Sequence, residues 1–188
     1  STLNRTQKTA EAMISEINSV SGVERLVHNP LMLTAVCILY HDEKKKLPEQ
    51  RAELYKKFVE NMLYRRFTDP ESVQSFLMTL AFFMHTSPEK LKGIDKGPAL
   101  DVLKQVYPQG DRSDDKYGWY LQKQLDRIEP DCGLLKFDGG QLMFRHLMFQ
   151  EFLTAAYIKD RKTNYHEAIE GYWQDEWFKE VVELLVGL

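Results

Sequence analysis

The sequence predicts a mainly α protein in which a helical domain is followed by a winged-helix domain with a small β-hairpin. Three observations predict it. Apolar residues recur at three- and four-residue steps along most of the chain. Thr68-Asp69-Pro70-Glu71 interrupts that periodicity with a helix-start signal and marks a junction. Asp138-Gly139-Gly140 lies between two short apolar runs, the pattern of a tight hairpin turn. The expected domains are residues 1–69, 70–162 and 163–188, the last being the start of a following helical region.

Each element follows from its residues. Ala10, Met13, Ile14, Ile17 and Val20 make one apolar stripe on a first helix, and Ser21-Gly22 turns the chain into a brief segment, Val23 to Val27. Asn29 suits the N-cap of a second helix, because its side chain can accept an orphan backbone N–H; Pro30 suits the first helical position, having no N–H to leave unsatisfied. The stretch Leu31 to Tyr40 is apolar nearly all round, which predicts a buried helix. After the charged turn His41 to Lys46, Leu54, Tyr55, Phe58, Val59, Met62, Leu63 and Phe67 predict an amphipathic third helix. Its early Glu49, Glu53 and Glu60 and its late Arg65 and Arg66 suit the helix dipole.

Beyond the junction, which has capping-box spacing from Thr68 to Glu71, a helix carries Val73, Phe76, Leu77, Leu80, Ala81 and Met84 on one face. A loop is expected over Ser87 to Gly97, then a short helix to Tyr107 with Val102, Leu103 and Val106 inside. Pro108 and Gly110 end it. The next helix is expected from Ser113 to Ile128, burying Leu121, Leu125 and Ile128 and stopping before Pro130. Leu134, Leu135 and Phe137 then face Leu142, Met143 and Phe144 across the glycine turn. Three helices followed by a hairpin form the layout of a winged helix. A final helix begins near His146 with Phe149, Phe152, Leu153, Ala156 and Tyr157 inward. From Trp177 an apolar pattern at helical spacing runs to Leu188 without a stop, as if continuing into something larger.

Composition excludes several function classes. The 188 residues carry 25 basic and 28 acidic side chains, a net charge of −3, so no global field draws nucleic acid or an anionic membrane. No apolar run approaches the roughly 20 residues that span a bilayer. Cys37 and Cys132 have no partner at CxxC spacing, which argues against a zinc site or disulfide framework and fits a reducing cytoplasm.

Catalytic grammar is absent. There is no GxxxxGK[ST] loop, no GxGxxG, no HExxH and no GxSxG, and His28, His41, His85, His146 and His166 form no ligand cluster. Cys37 falls within the apolar second helix, away from a reactive setting. The expectation is that this chain is not an enzyme by itself, with no catalytic and no metal-binding residue. A winged helix also invites DNA binding through its third helix. Against that, Ser113 to Glu129 carries three bases, Lys116, Lys123 and Arg127, and four acids, Asp114, Asp115, Asp126 and Glu129, and the hairpin tip is acidic too. Nucleic acid is therefore not an expected partner.

Two segments together resemble a known family. Asn29-Pro30-Leu31-Met32-Leu33-Thr34, with Leu47-Pro48 and Ala52-Glu53-Leu54-Tyr55 downstream, is similar to the helical domain that follows the core of NACHT-type signal-transducing (STAND) NTPases. Phe144-Arg145-His146, then Phe149-Gln150-Glu151-Phe152-Leu153 and Ala155-Ala156, is similar to the end of their winged-helix domain. The resemblance covers about Ser21 to Tyr157, and Trp173 to Leu188 resembles the join to a C-terminal sensor region. It implies a multidomain ATPase switch of innate defence and signalling whose P-loop core this chain lacks. ADP or ATP, with Mg in the full-length protein, would sit between that core and the two domains seen here. The partners implied are the core, the sensor domain and further copies of the protein once activated, and no membrane. By the same resemblance Pro30 packs by the adenine and His146 contacts the β-phosphate of ADP. Tight nucleotide binding by these 188 residues alone is not expected.

His146 has independent physical support, because a helix start offers N–H donors and partial positive charge to an anion. Its simpler reading is a helix cap or a ring packed beside Phe149. Pro30 has one too, since Asn-Pro starts a helix in any protein. Arg145 is expected to face solvent, Gln150 and Glu151 to make packing or capping hydrogen bonds, and Trp173 and Trp177 to cover the next helical layer, so that their exposure would mark a lost interface. The alternative function is a winged-helix regulator that binds DNA or protein without nucleotide.

Overall fold

A computed structural model describes residues 2–20, 23, 27–28, 30–42, 47–161, 169–172 and 174–188, with the side chains of 2–8, 31 and 42 left aside. The expectations for Ser21-Gly22, for Glu24 to Leu26, for the Asn29 cap, for Glu43 to Lys46 and for His166 and Trp173 lie outside the described residues. The chain is mainly helical with a small three-stranded antiparallel sheet. It divides into two compact units, residues up to Val59 with Gly187, and Glu60–Val186 with Leu188.

The first unit contains α1 (Thr2–Ser19), α2 (Pro30–Asp42) and most of α3 (Arg51–Tyr64). Ile17 and Val20 of the first stripe are buried, whereas Ile14 is 55% exposed. Glu16 accepts a hydrogen bond from the Leu47 N–H at 3.1 Å, which ties α1 to the segment before α3. Helix α2 departs from its expected burial. Met32, Ala35, Val36, Leu39 and Tyr40 are inside, but Pro30, Leu33, Thr34 and Ile38 form an exposed face. Uniform apolarity carries no rotational information, so the tertiary contacts alone select which side is covered. Cys37 lies at the edge of that face and is half-exposed, not enclosed.

The second unit is built on α4 (Pro70–Thr86), and its order is helix, strand, helix, helix, strand, strand, helix. Asp69, not Thr68, is the N-cap of α4: its Oδ1 accepts the Ser72 N–H at 3.2 Å, and Pro70 takes the first helical position. The shift by one residue follows from Pro70, which suits the first helical position and so makes the residue before it the cap. Glu71 is then free to accept the Tyr64 hydroxyl at 2.8 Å.

The loop expected after α4 contains a strand, β1 (Gly93–Asp95). Three residues are too few for an alternation signal. Helix α5 (Lys96–Val106) follows directly, burying Ala99, Val102 and Leu103. Helix α6 (Asp114–Cys132) continues past its expected end and carries Pro130 in its last turn. There the missing N–H removes only one bond, and Gly133, at φ 69°, supplies the left-handed stop. The hairpin pairs β2 (Leu135–Asp138) with β3 (Gln141–Phe144) in register Leu135 to Phe144 and Asp138 to Gln141. Gly139 and Gly140 turn it at φ 58° and 86°, the two positive values a type I′ turn requires. Strand β1 pairs with the other edge of β3, giving the sheet order β1-β3-β2.

Helix α7 (Leu147–Arg161) packs along α4, which is the main helix contact of the unit. Phe82 and Tyr157 stack with centroids 4.4 Å apart, and Arg161 donates to Ser75 Oγ at 2.7 Å. A single 3-10 turn, Glu170–Tyr172, and α8 (Lys179–Gly187) complete the chain. Among the described residues no helix is long and apolar enough to cross a membrane.

Candidate functional site

The end of β3 and the start of α7 position His146. Phe144 is the last strand residue, and Arg145 donates its backbone N–H to Leu134 O at 2.8 Å, which closes the sheet below the turn. Residue 146 therefore leaves the sheet in a fixed direction and hands over to α7. Its carbonyl accepts the Phe149 N–H at 3.1 Å, and its half-buried ring makes a T-shaped contact with the Phe149 ring, centroids 6.1 Å apart. Phe149 is fully buried, so it anchors the imidazole at the surface. What the geometry offers is an imidazole beside the positive end of a fifteen-residue helix. The packing contact with Phe149 is present as well.

Neighbouring residues divide clearly. Arg145 faces solvent. Gln150 is buried and donates from Nε2 to Leu91 O at 3.0 Å, so it tethers the segment before β1 to α7. Pro30 belongs to the other unit, where it begins α2 and shares the exposed apolar face with Leu33 and Ile38. Thr34 donates to the Pro30 carbonyl at 2.9 Å, so the first turn of that helix is closed.

A cleft of about 200 Å³ in the second unit is lined by Phe67, Asp69, Tyr107, Tyr120, Gln124 and Arg127, among others. Part of its lining is already engaged in packing and capping. Asp69 caps α4, the Arg127 guanidinium lies 5.4 Å from the Phe67 ring, and Arg112 lies 4.2 Å from the Tyr120 ring. Burial, with Asp69 nearby, pushes the Tyr107 hydroxyl up to about 12. These are packing roles, and the cleft is smaller than the roughly 300–1,000 Å³ of a typical ligand site. Among the described residues no three His, Cys, Asp or Glu side chains converge as metal ligands.

His85 is the residue that sequence reasoning passed over. It is 1% exposed at the C-terminal end of α4, where its Nε2 lies 2.9 Å from Trp177 O. Trp177 Nε1 donates in return to His85 O at 3.0 Å. The two rings stack at 4.7 Å and 14°, and Phe178 meets the His85 ring in a T-shaped contact with centroids 4.8 Å apart. Trp177 is thus folded back onto the end of α4, where it covers a helix as the sequence led one to expect. The available signal was spacing: His85 stands four residues after Ala81 and eight after Leu77, on the helix's apolar face. No family model, curated protein or solved structure matches this chain.

Proposed function

We propose that this chain is the helical and winged-helix regulatory part of a NACHT-type ATPase switch, and that it helps to hold ADP in a closed, inactive state. The observation that carries the reading is the placement of His146. It stands at the handover from the last strand of a winged helix to a long helix, the place that the Phe144-Arg145-His146 resemblance assigns to the β-phosphate contact. The exposed apolar face of α2 that includes Pro30 supports it, being a surface of the kind a nucleotide-loaded core would cover. The switch is differential: the winged helix must bind the ADP-loaded core better than the ATP-loaded one, or nucleotide exchange changes nothing.

The test is made on the full-length protein. A GxxxxGK[ST] segment is expected roughly 150–250 residues before Ser1 on domain-size grounds, and its absence from the gene would end the proposal. With that segment present, His146→Ala is expected to release bound ADP faster and to raise basal signalling. Unchanged ADP retention would return His146 to a packing role. The isolated 188 residues are expected to bind ADP weakly, and sub-micromolar affinity in calorimetry would contradict the division of labour.

A second reading, a winged-helix regulator that binds a partner without nucleotide, has one observation in its favour. Trp119 on α6 is 65% exposed, with the Lys123 ammonium 5.0 Å from its ring. A salt-dependent mobility shift on duplex DNA would favour the DNA form of that reading, and no shift at low salt would remove it.

A further inference from the structure

The contact between His85 and Trp177 closes one segment of the chain onto another. A carbonyl oxygen only accepts, so the 2.9 Å contact to Trp177 O requires the proton on Nε2. Nδ1 is then an acceptor, and it is buried with no hydrogen-bond partner among the described residues. A second proton on the ring would have to reside on Nδ1, where none of the described residues is placed to accept its hydrogen bond. The ring is held between the stack on Trp177 and the T-shaped contact with Phe178, and it is 1% exposed while the contact is closed.

The surrounding charges act in both directions. From the C-terminal segment, the Asp175 carboxylate favours a charged ring, but it is paired with Lys90 at 2.8 Å and accepts the Trp177 N–H at 3.0 Å. From the loop after α4, Lys90 opposes the charge, and the Lys92 ammonium lies 6.0 Å from the Trp177 ring. Glu89 in the same loop is bonded to Ser87. Tyr172 is stacked on Phe178 with centroids 3.9 Å apart. Lys90 also holds a positive φ of 52°, a sparsely occupied backbone for a lysine.

We propose that this contact is an acid-operated latch: closed, it holds the Asp175–Phe178 turn and the start of α8 against the end of α4, and a proton from solvent on His85 Nδ1 releases it. Desolvation lowers the ring's affinity for that proton while the latch is closed, to a value of about 4. A released, hydrated histidine titrates near 6.5. Linkage between the two states lowers the closed-to-open ratio about twenty-fold between pH 7 and pH 5. The consequence is that the Asp175–Phe178 turn and the start of α8 open about twenty-fold more readily at pH 5 than at pH 7, while the sheet and the α4–α7 pair stay folded.

The experiment is nuclear magnetic resonance on the 188-residue chain, combining histidine ring titration with amide exchange corrected for intrinsic rates. Expected are an Nε2–H tautomer for His85 at pH 7 and protection factors for residues 176–185 that fall about twenty-fold by pH 5. Residues of α7 should keep theirs. His85→Phe preserves the stack and cannot titrate, so its protection factors over 176–185 should be equal at the two pH values. Protection unchanged in the wild-type chain between pH 7 and 5 would overturn the latch, and so would a His85 that charges near 6.5 with the segment still protected. If His85→Phe fails to fold, the wild-type titration and exchange decide the matter alone.

Discussion

His85 and Trp177 stand 92 residues apart and exchange two hydrogen bonds, one from each ring to the other residue's backbone carbonyl. Few side-chain pairs can do this. Each partner needs an aromatic ring for the stack and a ring N–H for the bond, and both carbonyls must be free of helix partners. His85 lies in the last turn of α4, where carbonyls lack intrahelical donors, and Trp177 lies in a turn before α8. The contact thereby satisfies backbone groups that a helix end would otherwise bury unpaired.

The first prediction concerns stability and pH. The folded-state value of His85 lies below its unfolded value, so the unfolded chain binds the extra proton first. The stabilisation is complete above about pH 6.5 and is lost as pH falls toward about 4. Its full size is on the order of 3 kcal/mol, capped by the free energy of opening the latch locally. Urea melts at pH 7 and pH 5 should show the loss in the wild-type chain and a smaller one in His85→Phe.

Helix capping supplies a second. Asp69→Ala should cost about 1 kcal/mol, since it strips the Ser72 N–H of its acceptor at the start of α4. Thr68→Ala should leave the melting midpoint nearly unchanged. The reverse order would mean that Thr68 is the cap.

Gly133 supplies a third. At φ 69° a side chain is strained, and a Cβ there would also run into the methyl of Met62. Gly133→Ala should destabilise the protein by about 1 kcal/mol or more, and thermal melts would read it directly.

The two cysteines should react in order. Cys132 is fully buried, its thiol is pushed up by burial, and its sulfur accepts the Leu134 N–H at 3.4 Å. Cys37 is half-exposed on α2. A thiol reagent at pH 8 should label Cys37 in the native protein and Cys132 only on unfolding, as mass spectrometry of the modified peptides would show.

His146→Ala should cost less than about 1 kcal/mol, because the residue contributes one edge contact to Phe149 and its backbone bond survives the substitution. A melt of the 188-residue variant checks this. A small loss makes nucleotide retention in the full-length variant a test of contact rather than of folding.

Local physics made much of this protein legible in its residues. The helices follow from apolar spacing, the hairpin from Asp138-Gly139-Gly140, and the mainly α class from both together. The position of His146 between a strand and a helix was readable for the same reason, because both elements declare themselves over a few neighbouring residues. Tertiary structure decided the rest. Helix α2 is apolar on all sides, so only packing could choose to leave Pro30, Leu33 and Ile38 outside. Strand β1 exists because the edge of β3 pairs with it, since three residues have no pattern of their own. The partner of His85 could not be inferred, because a hydrogen bond to a backbone carbonyl leaves no mark on the identity of the residue that supplies it. His146 therefore remains the residue to which the sequence points, and His85 the one that only the fold reveals.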